Sequence, residues 1–262
     1  MHRRDALKAV TGLALGAAAT GCDATSAKPK PATPAQATST QATPAQVPFG
    51  SVLPSPSGGA SRSLAQEIVH GPRDRPRVAL TFHGQGEPAV VGALLDELAA
   101  ARVRVTVLAV GAWLVGQPGL ARRVLDAGHE LGNHTQHHAD IKRMPAAAAH
   151  AEIAECAQAL KALTGSIGRW FRPSQTPHAT SMIKAAAAAV GYSTCLSYDV
   201  DSLDYTDPGA RAVVGTTLSA VRPGSIVSLH CGHAGTVAAI APLVAGLRRR
   251  GLTPVTMTEL MR

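Results

Sequence analysis

Gly128-His129-Glu130-Leu131-Gly132-Asn133-His134-Thr135-Gln136-His137-His138 reads as a turn, a short strand and an exit that carries two imidazoles four residues apart. Glycine at 128 closes a helical pattern, since the position after a helix favours a left-handed backbone. Imidazoles at 134 and 138 on one turn can point the same way and hold one metal ion. At the end of a strand they stand where α/β folds place their chemistry. Alone, the spacing also describes a surface histidine cluster, so the flanking sequence decides.

Outward from this stretch, short apolar runs alternate with amphipathic helices. Val78-Ala79-Leu80-Thr81-Phe82 is a buried strand, and residues 88–100 form a helix with Val90, Val91, Leu94, Leu95 and Leu98 on one face. Strands are predicted at 105–110, 131–134, 170–172, 193–199, 225–229 and 252–257. Helices are predicted at 118–127, 145–163, 180–190, 209–221 and 236–250. Strand-helix alternation repeated about seven times predicts an α/β fold on a parallel sheet, closed as a barrel or open. The folded domain spans 63–262.

Residues 1–22 read as a signal peptide. Arg3-Arg4 precede Leu7-Lys8 and an apolar stretch over 9–19, too short to span a bilayer as a mature helix. Ala19-Thr20-Gly21-Cys22 resembles a bacterial lipoprotein signal box, and the arginine pair resembles a twin-arginine export signal. The expected location is the outer face of the cytoplasmic membrane as a lipoprotein, or the medium if the leader is cut elsewhere. Residues 23–62 are rich in Pro, Ala, Thr, Ser and Gln and are expected to form a disordered linker, an extended tether to the membrane. The net charge is +8, yet Arg is scattered and Arg248-Arg249-Arg250 closes a predicted helix. That is ordinary dipole complementation, so no nucleic-acid partner is expected. Cys156, Cys195 and Cys231 remain after Cys22, with no CxxC pair to build a cysteine zinc site.

The strand exits are chemically unusual. They carry His83-Gly84-Gln85-Gly86, the His134/His138 pair, Arg172-Pro173, the segment from Asp199 to Tyr205, and His230. In a parallel α/β fold these ends meet at one mouth. Several histidines, an arginine and aspartates there describe metal-assisted hydrolysis. No glycine-rich phosphate loop and no GxSxG elbow is present.

Over about residues 75 to 260 the chain resembles the polysaccharide deacetylases with a NodB-type domain, carbohydrate esterase family 4. His134-Thr135-Gln136-His137-His138 matches that family's His-Ser/Thr-x-x-His motif. Asp201-Ser202-Leu203-Asp204-Tyr205 matches Asp-x-x-Asp-Trp with Tyr for Trp, and Leu229-His230 matches Leu-His. Arg172-Pro173 begins Arg-Pro-Pro-Tyr-Gly but continues as Ser174-Gln175-Thr176. The resemblance implies a distorted (β/α)7 barrel, a divalent metal, zinc in first place, and removal of acetyl groups from a polysaccharide such as peptidoglycan or a chitin-like chain. It implies His230 as general acid, Asp204 (or Asp201) orienting it, and Arg172 beside the base. Tyr205 would face the sugar, and the Gln175 backbone N–H would help hold the oxyanion.

The first motif departs. The family pattern is Thr-Phe-Asp-Asp-Gly, its aspartates being base and metal ligand, whereas here Thr81-Phe82 are followed by His83-Gly84. Two readings follow. In one, His83 joins His134 and His138 as a three-histidine zinc site, or serves as the base, while Glu87 or Asp140 takes the other task. In the other, catalysis is lost and the domain is a tethered glycan-binding module. Gly84 and Gly86 around Gln85 predict close backbone approach or positive φ. His129 is read as structural and His150 as surface; His137 points away from the ligands, and His178 and His233 lie on loops near the mouth. Cys231 reads as a small buried apolar residue.

Overall fold

The computed structural model describes residues 63–262, and the expected signal peptide, lipidated Cys22 and linker lie outside the described residues. In chain order the elements are β1 (Gln66–Ile68), β2 (Arg77–Gly84), α1 (Pro88–Ala100), β3 (Thr106–Ala109), α2 (Gly111–Gly116), α3 (Pro118–Asp126), β4 (Glu130–Asn133), α4 (Ala146–Thr164), α5 (Ser181–Val190), β5 (Thr194–Leu196), β6 (Val200–Asp201), α6 (Ala210–Ala220), β7 (Ile226–His230), α7 (Ala234–Arg249), β8 (Thr253–Val255) and α8 (Met257–Leu260).

β2 is the hub. Its apolar run is buried on both faces, as a parallel strand under helices must be. The sheet runs β4-β3-β2-β7-β6, all parallel. The expected strand at 170–172 shrinks to the single residue Phe171, bridged to Asn133 on one side and Cys195 on the other. The expected strand 193–199 divides. β5 pairs with β1 and Phe171, and four residues on β6 pairs with β7. The break at Ser197–Asp199 is where the backbone leaves one neighbour for the other: Leu196 N–H donates to Phe171 O at 2.7 Å, and Asp199 N–H to Ile226 O at 3.3 Å. This segment closes the sheet on itself. β8 pairs with Arg77–Ala79 of β2, on the edge that β3 uses from Thr81 onward. Thus the α/β barrel is distorted, with β8 a wedge at the base.

Local chemistry sets the helix ends. Pro88 opens α1 at a position where no N–H is needed, and Val91, Leu94, Leu95 and Leu98 face the core as their spacing predicts. Thr180 caps α5 by accepting from Ile183 N–H, and Gly191 at φ 119 ends it. α8, a helix that sequence periodicity did not indicate, starts in a capping box between Thr256 and Glu259. Four of the few aromatics, Trp170, Phe82, Phe171 and Tyr192, are buried.

Candidate active site

Strand register builds the site. β2 and β7 align His83 with His230, so the two rings stack with centroids 4.3 Å apart. His134 leaves β4 with its ring 4.5 Å from that of His83, and His138 lies 4.9 Å beyond. The 134–138 segment is a loop rather than a helical turn, with Thr135 at φ 68 and His138 at φ 57. The expected exits therefore converge on one cavity.

The donor nitrogens of His83, His134 and His138 all lie within 4.8 Å of one another. His134 Nδ1 sits 2.9 Å from the Arg172 carbonyl, which only accepts, so Nδ1 donates and Nε2 keeps a lone pair toward His83. His83 Nδ1 is 2.7 Å from that Nε2, a hydrogen-bond distance, so His83 Nδ1 donates the one proton between them. His83 Nε2 is 3.0 Å from Ser228 Oγ and 3.4 Å from Arg172 Nη1. Burial, then the charges of His134, Arg172, His230 and His138, hold the His83 imidazole well below its usual pKa. Burial also holds His134 well below it, and His138 below it. Three neutral imidazoles with one nitrogen each gathered this closely are a donor set that fits zinc, which would displace the proton shared by His83 and His134. Among the described residues no carboxylate joins them: Asp201 is the acidic residue in the lining of that roughly 480 Å³ cavity, which neither Glu87 nor Asp140 lines. Glu87 borders a neighbouring cleft that His230 also lines, and Asp140 pairs with Arg143; neither joins the three imidazoles as a ligand.

On the other wall, His230 Nδ1 is 2.8 Å from Asp204 Oδ1, while Asp204 Oδ2 accepts from the His230 backbone N–H at 2.7 Å and from Thr236 Oγ1 at 2.6 Å. Burial raises the Asp204 carboxyl, but the hydrogen bonds and charge of His230 and the bond from Thr236 outweigh it and hold it below the usual range. The dyad is Asp204–His230. Asp201 accepts instead from Leu203 N–H, an ordinary turn bond. Tyr205 stands half exposed, edge-on to His230 at 5.4 Å.

Arg172 is 1% exposed and no carboxylate pairs with it among the described residues. Its guanidinium donates to Leu196 O, Ser197 O and Thr81 Oγ1 and lies over the Tyr198 ring. Burial lowers its pKa to about 10, which leaves it charged at neutral pH. It meets the reacting centre through His83 and, by its carbonyl, His134. Gln175 borders the cavity, but its side-chain amide donates to the His138 carbonyl at 2.7 Å.

The remaining histidines separate as expected. His137 turns out to Glu152, His178 to Glu67, and His129 Nδ1 accepts from Val105 N–H; His150 is on the exposed side of α4. His233 pairs with Asp207, and Cys231 is buried. Gly86, at φ 147, packs where a Cβ would lie 2.5 Å from Gly232 Cα, so both expectations for that glycine hold. Sequence reasoning missed Ser228 and Thr81. Each stands two residues before a site histidine, so it shares that histidine's face; a polar residue at that spacing in an apolar run was the available signal. It also missed α2, whose Trp113 donates to Gly86 O and walls the adjoining cleft of about 610 Å³.

Residues 70–194 match the sequence profile of the family described as polysaccharide deacetylase. The chain is 35% identical over 197 residues to a chitooligosaccharide deacetylase of Bradyrhizobium sp. (strain ANU 289), covering 66% of this chain and 85% of that one. It is 29% identical over 201 residues to a peptidoglycan-N-acetylglucosamine deacetylase of Bacillus cereus, covering 73% and 91%. Among solved structures, a family 4 carbohydrate esterase from Streptomyces lividans in complex with acetate matches with a TM-score of 0.64 and 28% identity, over 68% of this chain and 91% of that one.

Proposed function

This chain belongs to the polysaccharide deacetylase family, and on that premise we propose that it removes N-acetyl groups from the amino sugars of a cell-wall polysaccharide, using zinc held by His83, His134 and His138. The observation that carries this reading is one cavity with two kinds of wall. Three neutral imidazoles converge on one side, and an imidazole backed by a buried carboxylate stands on the other.

Zinc bound there would polarise the acetyl carbonyl and lower the pKa of water to ~7. The chain's own residues do the rest. Asp204 fixes the Nδ1–H tautomer of His230 and turns Nε2 to the cavity. That Nε2 takes a proton as water adds to the acetyl carbon. It returns the proton to the amide nitrogen as the C–N bond breaks, leaving acetate and a free amine. His83 has both nitrogens engaged, which leaves neither free to act as base; Nδ1 would become a ligand by giving up the proton it shares with His134. Tyr205 offers a flat face to a sugar ring. Export by residues 1–22 and tethering through Cys22 and residues 23–62 would let the barrel reach glycan near the membrane.

Acetate release from acetylated chito-oligosaccharides, with zinc analysis of the same preparation, tests the reading. His230→Ala is expected to lower the rate by roughly 10²–10⁴-fold with zinc retained. His134→Ala is expected to lose both zinc and rate. Tight glycan binding with neither zinc nor acetate release would instead establish a silent binding module.

A further inference from the structure

We propose that Ser174 and Gln175 form a polar clamp that positions His138 as a metal ligand; this rests on the reading of His83, His134 and His138 as the cation site. Metal-binding imidazoles are ordinarily aimed by a hydrogen bond to the ring. His134 has the Arg172 carbonyl and His83 has Ser228. The His138 ring has no such partner among its described contacts, which are the ring contact with His134 and the shared cavity wall. Its direction is therefore set by its backbone, and that backbone is strained. Thr135 and His138 both adopt left-handed φ, an uncommon state for non-glycine residues and a genuine outlier for a β-branched one. Such a conformation persists only where neighbours over-determine it.

The neighbours come from the facing segment. Thr135 Oγ1 donates to Ser174 Oγ at 3.0 Å, and Ser174 Oγ donates onward to the Ala139 carbonyl at 2.5 Å. Gln175, itself at φ 53, donates from Nε2 to the His138 carbonyl at 2.7 Å. Between these bonds His137 is drawn outward, its backbone N–H and its ring both meeting Glu152. Residues 135, 137, 138 and 139 are thus each held by a side chain from outside the loop. The pattern that this segment resembles has proline at 174, which can make neither serine bond. The Ser-Gln pair therefore departs from that pattern, as His83 does.

The test is calorimetric titration of the full chain with Zn²⁺, comparing wild type with Gln175→Gly. Glycine accepts φ 53 without strain, so the backbone at 175 can keep its conformation while the donor is lost. Zinc affinity is expected to fall about 10–100-fold, with the melting temperature of the metal-free protein essentially unchanged. Equal affinity in the two proteins overturns the clamp. A second arm measures amide hydrogen exchange over residues 134–139 in metal-free protein. Faster exchange in Gln175→Gly supports the clamp, and unchanged exchange overturns it. Wild type that takes up no zinc would sink the cation reading, and the exchange arm would then judge by itself whether the clamp holds the loop.

Discussion

His83 is enclosed on every side that matters to its ring, with His134 at one nitrogen, Ser228 and Arg172 at the other, and His230 stacked on its face. Protonating it would bury a second cation beside Arg172, and burial already disfavours the charged form. His134 and His138 are lowered for the same first reason. An imidazole whose folded pKa lies below its unfolded value near 6.5 binds fewer protons folded than unfolded just below that pH, so stability is lost as pH falls. Each such group steepens the loss by up to about 1.4 kcal/mol per pH unit until its folded pKa is reached. The metal-free chain is therefore expected to lose unfolding free energy steeply between pH 7 and pH 5, measured by urea denaturation. His83→Gln should shallow that slope, and a flat profile in wild type would contradict the assignment. At this scale the sequence was informative wherever a motif ended a strand: His83, His134, His138, Arg172, Asp204 and His230 all meet. It was silent on Ser174 and on the side-chain role of Gln175, because a clamp joins two loops whose approach no local spacing encodes.

β2 explains why the carboxylate missing from the first motif is not simply restored. Gly84 follows His83, so its side-chain direction alternates to the opposite face. A Cβ there would lie 2.6 Å from Val107 Cγ1 and 2.9 Å from Ala109 Cα, against β3. Gly84→Asp is expected to destabilise the chain by about 1–3 kcal/mol through overpacking and to leave zinc stoichiometry no higher. Denaturant unfolding and metal analysis of the variant check this, and a stable protein with tighter zinc would refute it. Elements were legible in proportion to their length and period. Helix 88–100 is found as expected, since four of its five expected apolar positions form the buried face and Val90 lies half-buried at its margin. α2, six residues long, has too few positions to show a period, and the strand expected over 193–199 hides a change of partners that hydropathy does not register.

For the whole molecule, alternation of strand and helix announced a parallel α/β fold, but closure did not follow from it. Closure depends on Phe171 bridging two strands and on one segment pairing with Phe171 at its start and β7 at its end. These are contacts distant in sequence, set by packing rather than by periodicity. That closure brings the exits of β2, β4 and β7 together, where three imidazoles stand within reach of one cation. X-ray absorption at the zinc edge of the full chain, compared with His83→Ala, tests it most directly. Three imidazole ligands are expected in wild type and two in the variant. A wild-type spectrum with two imidazoles and a protein carboxylate, unchanged by loss of His83, would contradict it.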